Sequence, residues 1–278
     1  MKTFALIASA SAFTAIALTA SAASAHTDVQ LENMAARVVV TPENRADVEL
    51  KVVYGKAQVP QIMVRTKGNT LVADGKLKGR GLNCKAGGVN INGLGQVASA
   101  DLPTVYIKVP MDAKIAAGGA TYGTVGASKS LEFSEGGCGS WQLASVSGKA
   151  EINIGGSGDV SLVNSADAAV NIGGSGNFTA QSVNALEVNI GGNGDLFVNK
   201  LNGPLEVNIG GSGNVKVDSG VATSMEVNIA GSGDVRFGGE AKSLEVNIVG
   251  SGDVRVKSVT GNISRSIMGS GKVIVGQW

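Results

Sequence analysis

The chain has 278 residues, with 23 Lys plus Arg against 22 Asp plus Glu, 41 Gly, two Cys and a single His. So balanced a charge argues against nucleic acid as a partner, which proteins hold through its phosphates with an excess of basic residues. Two cysteines and one histidine, His26, are too few for a closed structural zinc site, and nothing in the composition calls for a cofactor.

Residues 1–25 open with Lys2, continue through an apolar run of Ala, Leu and Ile, and end in Ala23-Ser24-Ala25. That is the pattern of a secretory signal peptide cut before His26. No Cys follows the run to carry a lipid, and no later apolar stretch accompanies it. The mature chain is therefore expected to be exported without a transmembrane segment. Lys2 is the only charged residue removed, so the mature chain balances 22 basic against 22 acidic residues. In an oxidising compartment Cys84 and Cys138 either pair or stand as separate thiols, and sequence leaves both readings open. A pair would close a loop of 54 residues, contributing about 4 kcal/mol in the chain-entropy view.

Residues 26–113 carry no repeat but alternate apolar and polar positions at Asp47-Val-Glu-Leu-Lys-Val52 and Val105-Tyr-Ile-Lys-Val109, which reads as strand. Between these stretches Lys76, Lys78, Arg80 and Lys85 gather in a glycine-rich loop. They suit either a solvated loop or a contact with anionic lipid or polysaccharide, and the solvated loop is the simpler reading. The region is expected to start the following architecture and to cap it, covering an otherwise unpaired strand edge.

From residue 114 to 278 the chain repeats itself. The strings EINIGGSGDV, AVNIGGSGNF, EVNIGGNGDL, EVNIGGSGNV, EVNIAGSGDV and EVNIVGSGDV begin at 151, 169, 187, 206, 226 and 245. Aligned on the second glycine of Gly-x-Gly, from Gly139 to Gly271, the steps are 19, 18, 18, 19, 20, 19 and 19 residues. Such a period marks a solenoid. Leu186, Val188 and Ile190 face one way and Glu187 and Asn189 the other, the two-residue period of a strand. The pairs Gly156 and Gly158, Gly174 and Gly176, Gly192 and Gly194, Gly211 and Gly213, Gly231 and Gly233, and Gly250 and Gly252 mark the corners. Glycine there supplies positive φ and lets neighbouring coils approach. Coils of 18–20 residues leave no room for a crossover helix, so the fold class is all-β. The expected architecture is a β-solenoid, a right-handed parallel β-helix about 38 Å long over eight coils at the usual strand spacing.

These repeats, preceded by Leu102-Pro-Thr-Val-Tyr-Ile-Lys-Val-Pro110 and by Ala116-Ala-Gly-Gly119, resemble the head GIN domain of putative auto-transporter adhesins. The resemblance implies a bacterial secreted or surface β-helix with an adhesive role, and it implies no reaction.

Stacked coils turn repeats into columns about 4.8 Å apart. The position after Gly-x-Gly runs Ser140, Asp159, Asn177, Asp195, Asn214, Asp234, Asp253, Lys272. Stacked carboxylates can hold Ca²⁺, but the interleaved Asn and the nearby Lys216, Arg236 and Arg255 favour local neutralisation, so no metal is assigned. Glu187, Glu206, Glu226 and Glu245 form a second column, flanked by Asn189, Asn208, Asn228 and Asn247. The Asn column, which begins at Asn153 and Asn171, suits an amide ladder; with the Glu it also forms a flat polar strip able to take a glycan or an ion. Trp141 and Phe178 fall on the inward phase as core fillers, and Phe197 on the outward one. Uniform columns point to a noncatalytic interaction or structural module. Its partner would be an envelope polysaccharide, a surface protein or another copy of itself. The alternative is a polysaccharide-active β-helix enzyme, a lyase or hydrolase, which would need acids clustered in a groove. Here they are spread evenly, so no catalytic residue is assigned.

Overall fold

The computed structural model describes residues 27–85 and 87–276. The expected signal segment 1–25, His26 and Trp278 lie outside the described residues. Nearly everything described is strand, apart from a 3-10 turn at Ser99–Asp101. No helix among the described residues is long and apolar enough to cross a membrane.

The chain enters its own stack one layer in from the end. β1 (Asp28–Glu43), β2 (Glu49–Val53), β3 (Met63–Lys67) and β4 (Thr70–Asp74) come first. A small sheet of β5 (Leu82–Lys85), β6 (Gly88–Ile91) and β7 (Gly95–Ala98) follows, then β8 (Thr104–Pro110) and β9 (Asp112–Val125). β1 pairs in parallel with β4 and β8 on one edge and with β9 on the other. The first strand is thus sandwiched between layers made later in the chain. β3 and β2 lie antiparallel along β4 and β8, covering the edge of the outermost parallel layer. The antiparallel sheet β5-β6-β7 is an insertion between β4 and β8, separate from the stack.

Below β9 the coils stack in sequence order. β10 (Ser130–Glu135), β11 (Cys138–Leu143), β12 (Val146–Ile154), β13 (Asp159–Ile172), β14 (Phe178–Ile190), β15 (Leu196–Ile209) and β16 (Val215–Ile229) lead to β17 (Val235–Ala241), β18 (Leu244–Gly250), β19 (Val254–Val259), β20 (Ile263–Gly269) and β21 (Val273–Val275). Every pairing among them is parallel and joins equivalent positions of successive coils, as in Val188 to Val207 to Val227 to Val246. The fold is a parallel β-solenoid.

Its core follows from the two-residue period. Val188, Val207, Val227 and Val246 are fully buried, and so, to within 2 %, are Ile190, Ile209, Ile229 and Ile248. Each such side chain contributes about 1.5–3 kcal/mol through apolar area withdrawn from water. Trp141 and Phe178 fill the facing column at 1 % and 0 % exposure. Phe133 meets the Trp141 ring at 4.9 Å between centroids.

The corner glycines are required by contact between coils more than by backbone angle. The N–H of Ser175 donates to Gly156 O (3.0 Å) and that of Asn193 to Gly174 O (3.0 Å), so each corner sits directly on the carbonyls of the last. A Cβ on Gly174 or Gly176 would run into the carbonyl oxygen of Gly156 or Gly158. Positive φ, expected at all the paired corner glycines, occurs among them only at Gly250 (145°). The corners turn in ordinary φ space, and stacking is what leaves no room for a side chain.

At the far end β20 has no strand beyond it among the described residues. Ile263, Arg265 and Ile267 stand in register with Leu244, Val246 and Ile248, and all three are exposed. Arg265 occupies the inward position that Val fills in the preceding coils, and an inward-pointing charge on an edge strand opposes the addition of another strand.

Candidate functional site

The parallel register brings Glu187, Glu206, Glu226 and Glu245 into one continuous outward column. All four are exposed, and none is in an ion pair among the described residues. Earlier in the same column the charges are met: Lys114 lies 2.7 Å from Glu132, and Lys149 lies 3.6 Å from Glu151. Ala169 then separates this neutralised part from the run of four carboxylates.

Two residues along each strand, the asparagines form an amide ladder. The Nδ2 of Asn171 donates to Oδ1 of Asn153 at 2.9 Å, and the bond recurs through Asn189 (3.0 Å), Asn208 (3.1 Å), Asn228 (3.0 Å) and Asn247 (3.0 Å). The same Nδ2 groups of Asn189, Asn208 and Asn228 also donate to Oε1 of Glu187, Glu206 and Glu226, at 3.3, 3.1 and 3.2 Å. Both amide protons are thereby spent. These asparagines hold coil to coil and orient the carboxylates, whose other oxygens face solvent. On the opposite flank of the ladder runs an open trough of about 440 Å³, floored in part by Gly191, Gly210 and Ala230. A Cβ on Gly191 would meet nothing within 4 Å, so this glycine column, unlike the corner pairs, is free of steric demand.

The Asp and Asn after Gly-x-Gly form a second ladder, this time onto the backbone. Oδ1 of Asp159 accepts the N–H of Asn177 (3.2 Å), Asn177 that of Asp195 (3.0 Å), Asp195 that of Asn214 (2.8 Å), and Asn214 that of Asp234 (2.9 Å). Asp234 and Asp253 continue it to the N–H of Asp253 (2.8 Å) and Lys272 (3.0 Å). Asp and Asn interchange here because the position needs an acceptor oxygen, not a charge. Arg255 meets Asp253 at 3.1 Å, whereas Lys216 turns to Asp218 at 2.8 Å and lies 5.1 Å over the half-buried Phe197 ring. No group of acids or thiols that could hold a metal ion occurs among the described residues.

The repeat breaks in the coil of β10 and β11, and sequence reasoning missed this place. Glu135 stands in register with Ile154, in the inward column that later coils fill with Ile, and is 1 % exposed. Its carboxylate accepts the N–H of Gly137 at 2.8 Å and of Gly158 at 3.3 Å. Burial pushes this carboxyl above the usual glutamate range, against those two donors and with the charge of Asp159 adding to the rise. The signal was present in the sequence, since Glu135 precedes its glycines where the later repeats write Ile.

In the same coil Cys138 takes the place of Ser, and a disulfide joins it to Cys84 of the insertion with 5.9 Å between Cα atoms. The insertion also docks through Leu77, Val89, Ile91 and Leu102, packed with Ala35 and Ala120, and through the Tyr122 hydroxyl, which donates to Gly88 O. The basic loop does not gather into one patch: Lys76 pairs with Asp74 at 3.2 Å, Arg80 donates to Asn92 O at 3.2 Å, and Lys85 lines a cleft between the insertion and the solenoid.

Residues 168–277 match the family described as putative auto-transporter adhesin, head GIN domain. None of the curated proteins matches the chain in sequence. Among solved structures, a putative adhesin from Parabacteroides distasonis is 15% identical, with 93% of this chain and 95% of that one covered and a TM-score of 0.52. A putative adhesin from Bacteroides fragilis (16% identical, 95% and 98% covered, TM-score 0.47) and a putative lipid binding protein from Parabacteroides distasonis (21%, 91% and 94%, 0.48) are also similar. At these identities the first likeness concerns the fold alone. The family match lies within the repeat segment and spans less than half of the chain.

Proposed function

We propose that the protein is an exported, noncatalytic binding module of a bacterial envelope, adhesin-like, acting in the periplasm or at the cell surface. The observation that carries this reading is the run of Glu187, Glu206, Glu226 and Glu245, in register, exposed and free of ion pairs among the described residues, on a scaffold held rigid by the asparagine ladder. Carboxylates repeated at the coil spacing of about 4.8 Å offer a linear array of acceptors. Such an array suits the hydroxyls of an envelope polysaccharide or the donors of a surface protein, and avidity along it multiplies weak single contacts. Even spacing favours recognition over reaction, because acid, base and binding groups of an active site need different placements. The match of residues 168–277 to a family of putative adhesins supports a role in adhesion.

The test is retention of the purified protein on immobilised envelope polysaccharides, compared with a variant carrying Glu187→Ala, Glu206→Ala, Glu226→Ala and Glu245→Ala. Loss of retention in a variant that keeps the wild-type circular dichroism supports the strip. Undiminished retention removes it.

A further inference from the structure

The cleft between the insertion and the solenoid is a different place from the polar strip, and it coincides with the break in the repeat. It has a volume of about 820 Å³, within the roughly 300–1,000 Å³ usual for small-molecule sites. One wall is the insertion, with Asn83, Lys85 and Ser99; the other is the corner column, with Ser140, Ser157 and Asp159. The Cys84–Cys138 disulfide and Tyr122 tie the two walls together. Insertions in a solenoid commonly mark its binding face, and this one is fastened covalently beside the cleft.

The polar groups of the cleft are left open. Ser140 stands in register with Asp159, where the coils between Asp159 and Asp253 carry only Asp or Asn, so the backbone ladder begins at Asp159. Oδ1 of Asp159 accepts from Asn177 twice, from its N–H and from its Nδ2 (2.9 Å), while Oδ2 has no partner among the described residues. The same is true of the Lys85 ammonium and of the Asn83, Ser140 and Ser157 side chains. One positive and one negative group on facing walls give no net preference for an ion. Hydroxyls, an amide and a carboxylate oxygen match a ligand rich in hydroxyl groups, and Leu82 with the disulfide offers a small apolar surface for the C–H face of a sugar ring. A lipid tail would find too little apolar wall. We infer that this cleft is a binding site for a neutral mono- or disaccharide unit, held between the insertion and the corner column and separate from the Glu strip.

Titration of the ¹⁵N-labelled protein with cellobiose, N,N′-diacetylchitobiose and lactose tests this by amide chemical shifts. At least one of these sugars should move the amides of Asn83, Ser140 and Ser157 saturably, leaving those of residues 187–247 in place. Asp159→Asn keeps the ladder acceptor, as Asn177 and Asn214 do in their own coils, and removes the carboxylate. It should weaken binding at least about tenfold, the loss expected for one hydrogen bond to a charged group, and Lys85→Ala should weaken it as well. Glu206→Ala with Glu226→Ala should leave it unchanged. Shifts confined to the Glu column, no saturable shift with any sugar at millimolar concentration, or full affinity in Asp159→Asn would each overturn the site without touching the proposal for the strip.

Discussion

Gly191 and Gly194 are three residues apart in the same turn, yet the stack treats them oppositely. A Cβ on Gly194 would collide with the carbonyl oxygen of Gly176 and lie 3.0 Å from its carbonyl carbon and 2.8 Å from Cγ2 of Ile172. Backbone of a stacked coil cannot swing aside as a side-chain tip can, so Gly194→Ala must pry two coils apart. Overpacking of this kind costs about 3 kcal/mol, equivalent to about 6–12 °C in Tm for a chain of this size. A Cβ on Gly191 meets nothing within 4 Å, and its φ lies outside the left-handed region. Gly191→Ala should therefore leave stability unchanged or raise it by up to about 1 kcal/mol through the unfolded chain. Urea unfolding of both variants, followed by circular dichroism at 218 nm or thereabouts where strands absorb, separates them. Equal stability of the two would refute the claim that contact between coils, not turn geometry, selects the corner glycines.

Four further outcomes follow from the same structure. Asn208→Ala removes the bonds to Asn189 and from Asn228, and should cost about 1–3 kcal/mol at about 1 kcal/mol per bond, measured by urea unfolding. Glu135 has its folded pKa raised above the ordinary value of 4.5. Its contribution to stability is therefore full below that value and is lost as pH rises through the folded pKa. Tm measured from about pH 4 to about pH 8 should fall less steeply in Glu135→Gln than in the wild type. Reducing the disulfide, or Cys138→Ser, should lower stability by about 4 kcal/mol for the loop it closes, with amide exchange rising first in β5 to β7. Arg265→Val should increase concentration-dependent association through the exposed β20 end relative to the wild type, read by sedimentation velocity.

The regular part of the molecule could be read directly from its residues. Alternation at Leu186, Val188 and Ile190 identified the inward face, and the spacing of Gly-x-Gly identified the coil, because both signals are local and repeat. The position of β1 was hidden for the opposite reason. Its partners β4, β8 and β9 come later in the chain, and no shared motif points from Asp28–Glu43 to them. Glycine was ambiguous in sequence, since Gly191 in the trough and Gly194 at the corner look alike until the coil above is in place. The column of Asp and Asn invited an electrostatic reading, whereas its logic is an acceptor oxygen for the next N–H. For the candidate site, register alone placed the four Glu together. The cleft depended on an insertion fold and a pairing of Cys84 with Cys138 that spacing does not determine.

The proposed function is that this solenoid binds envelope molecules without cleaving them. The most direct measurement incubates the purified protein with a panel of bacterial envelope and host polysaccharides and assays the same tubes for retained protein and for released reducing ends or unsaturated products. Retention of the protein with no released product is the expected result; product accumulating with time would contradict the account.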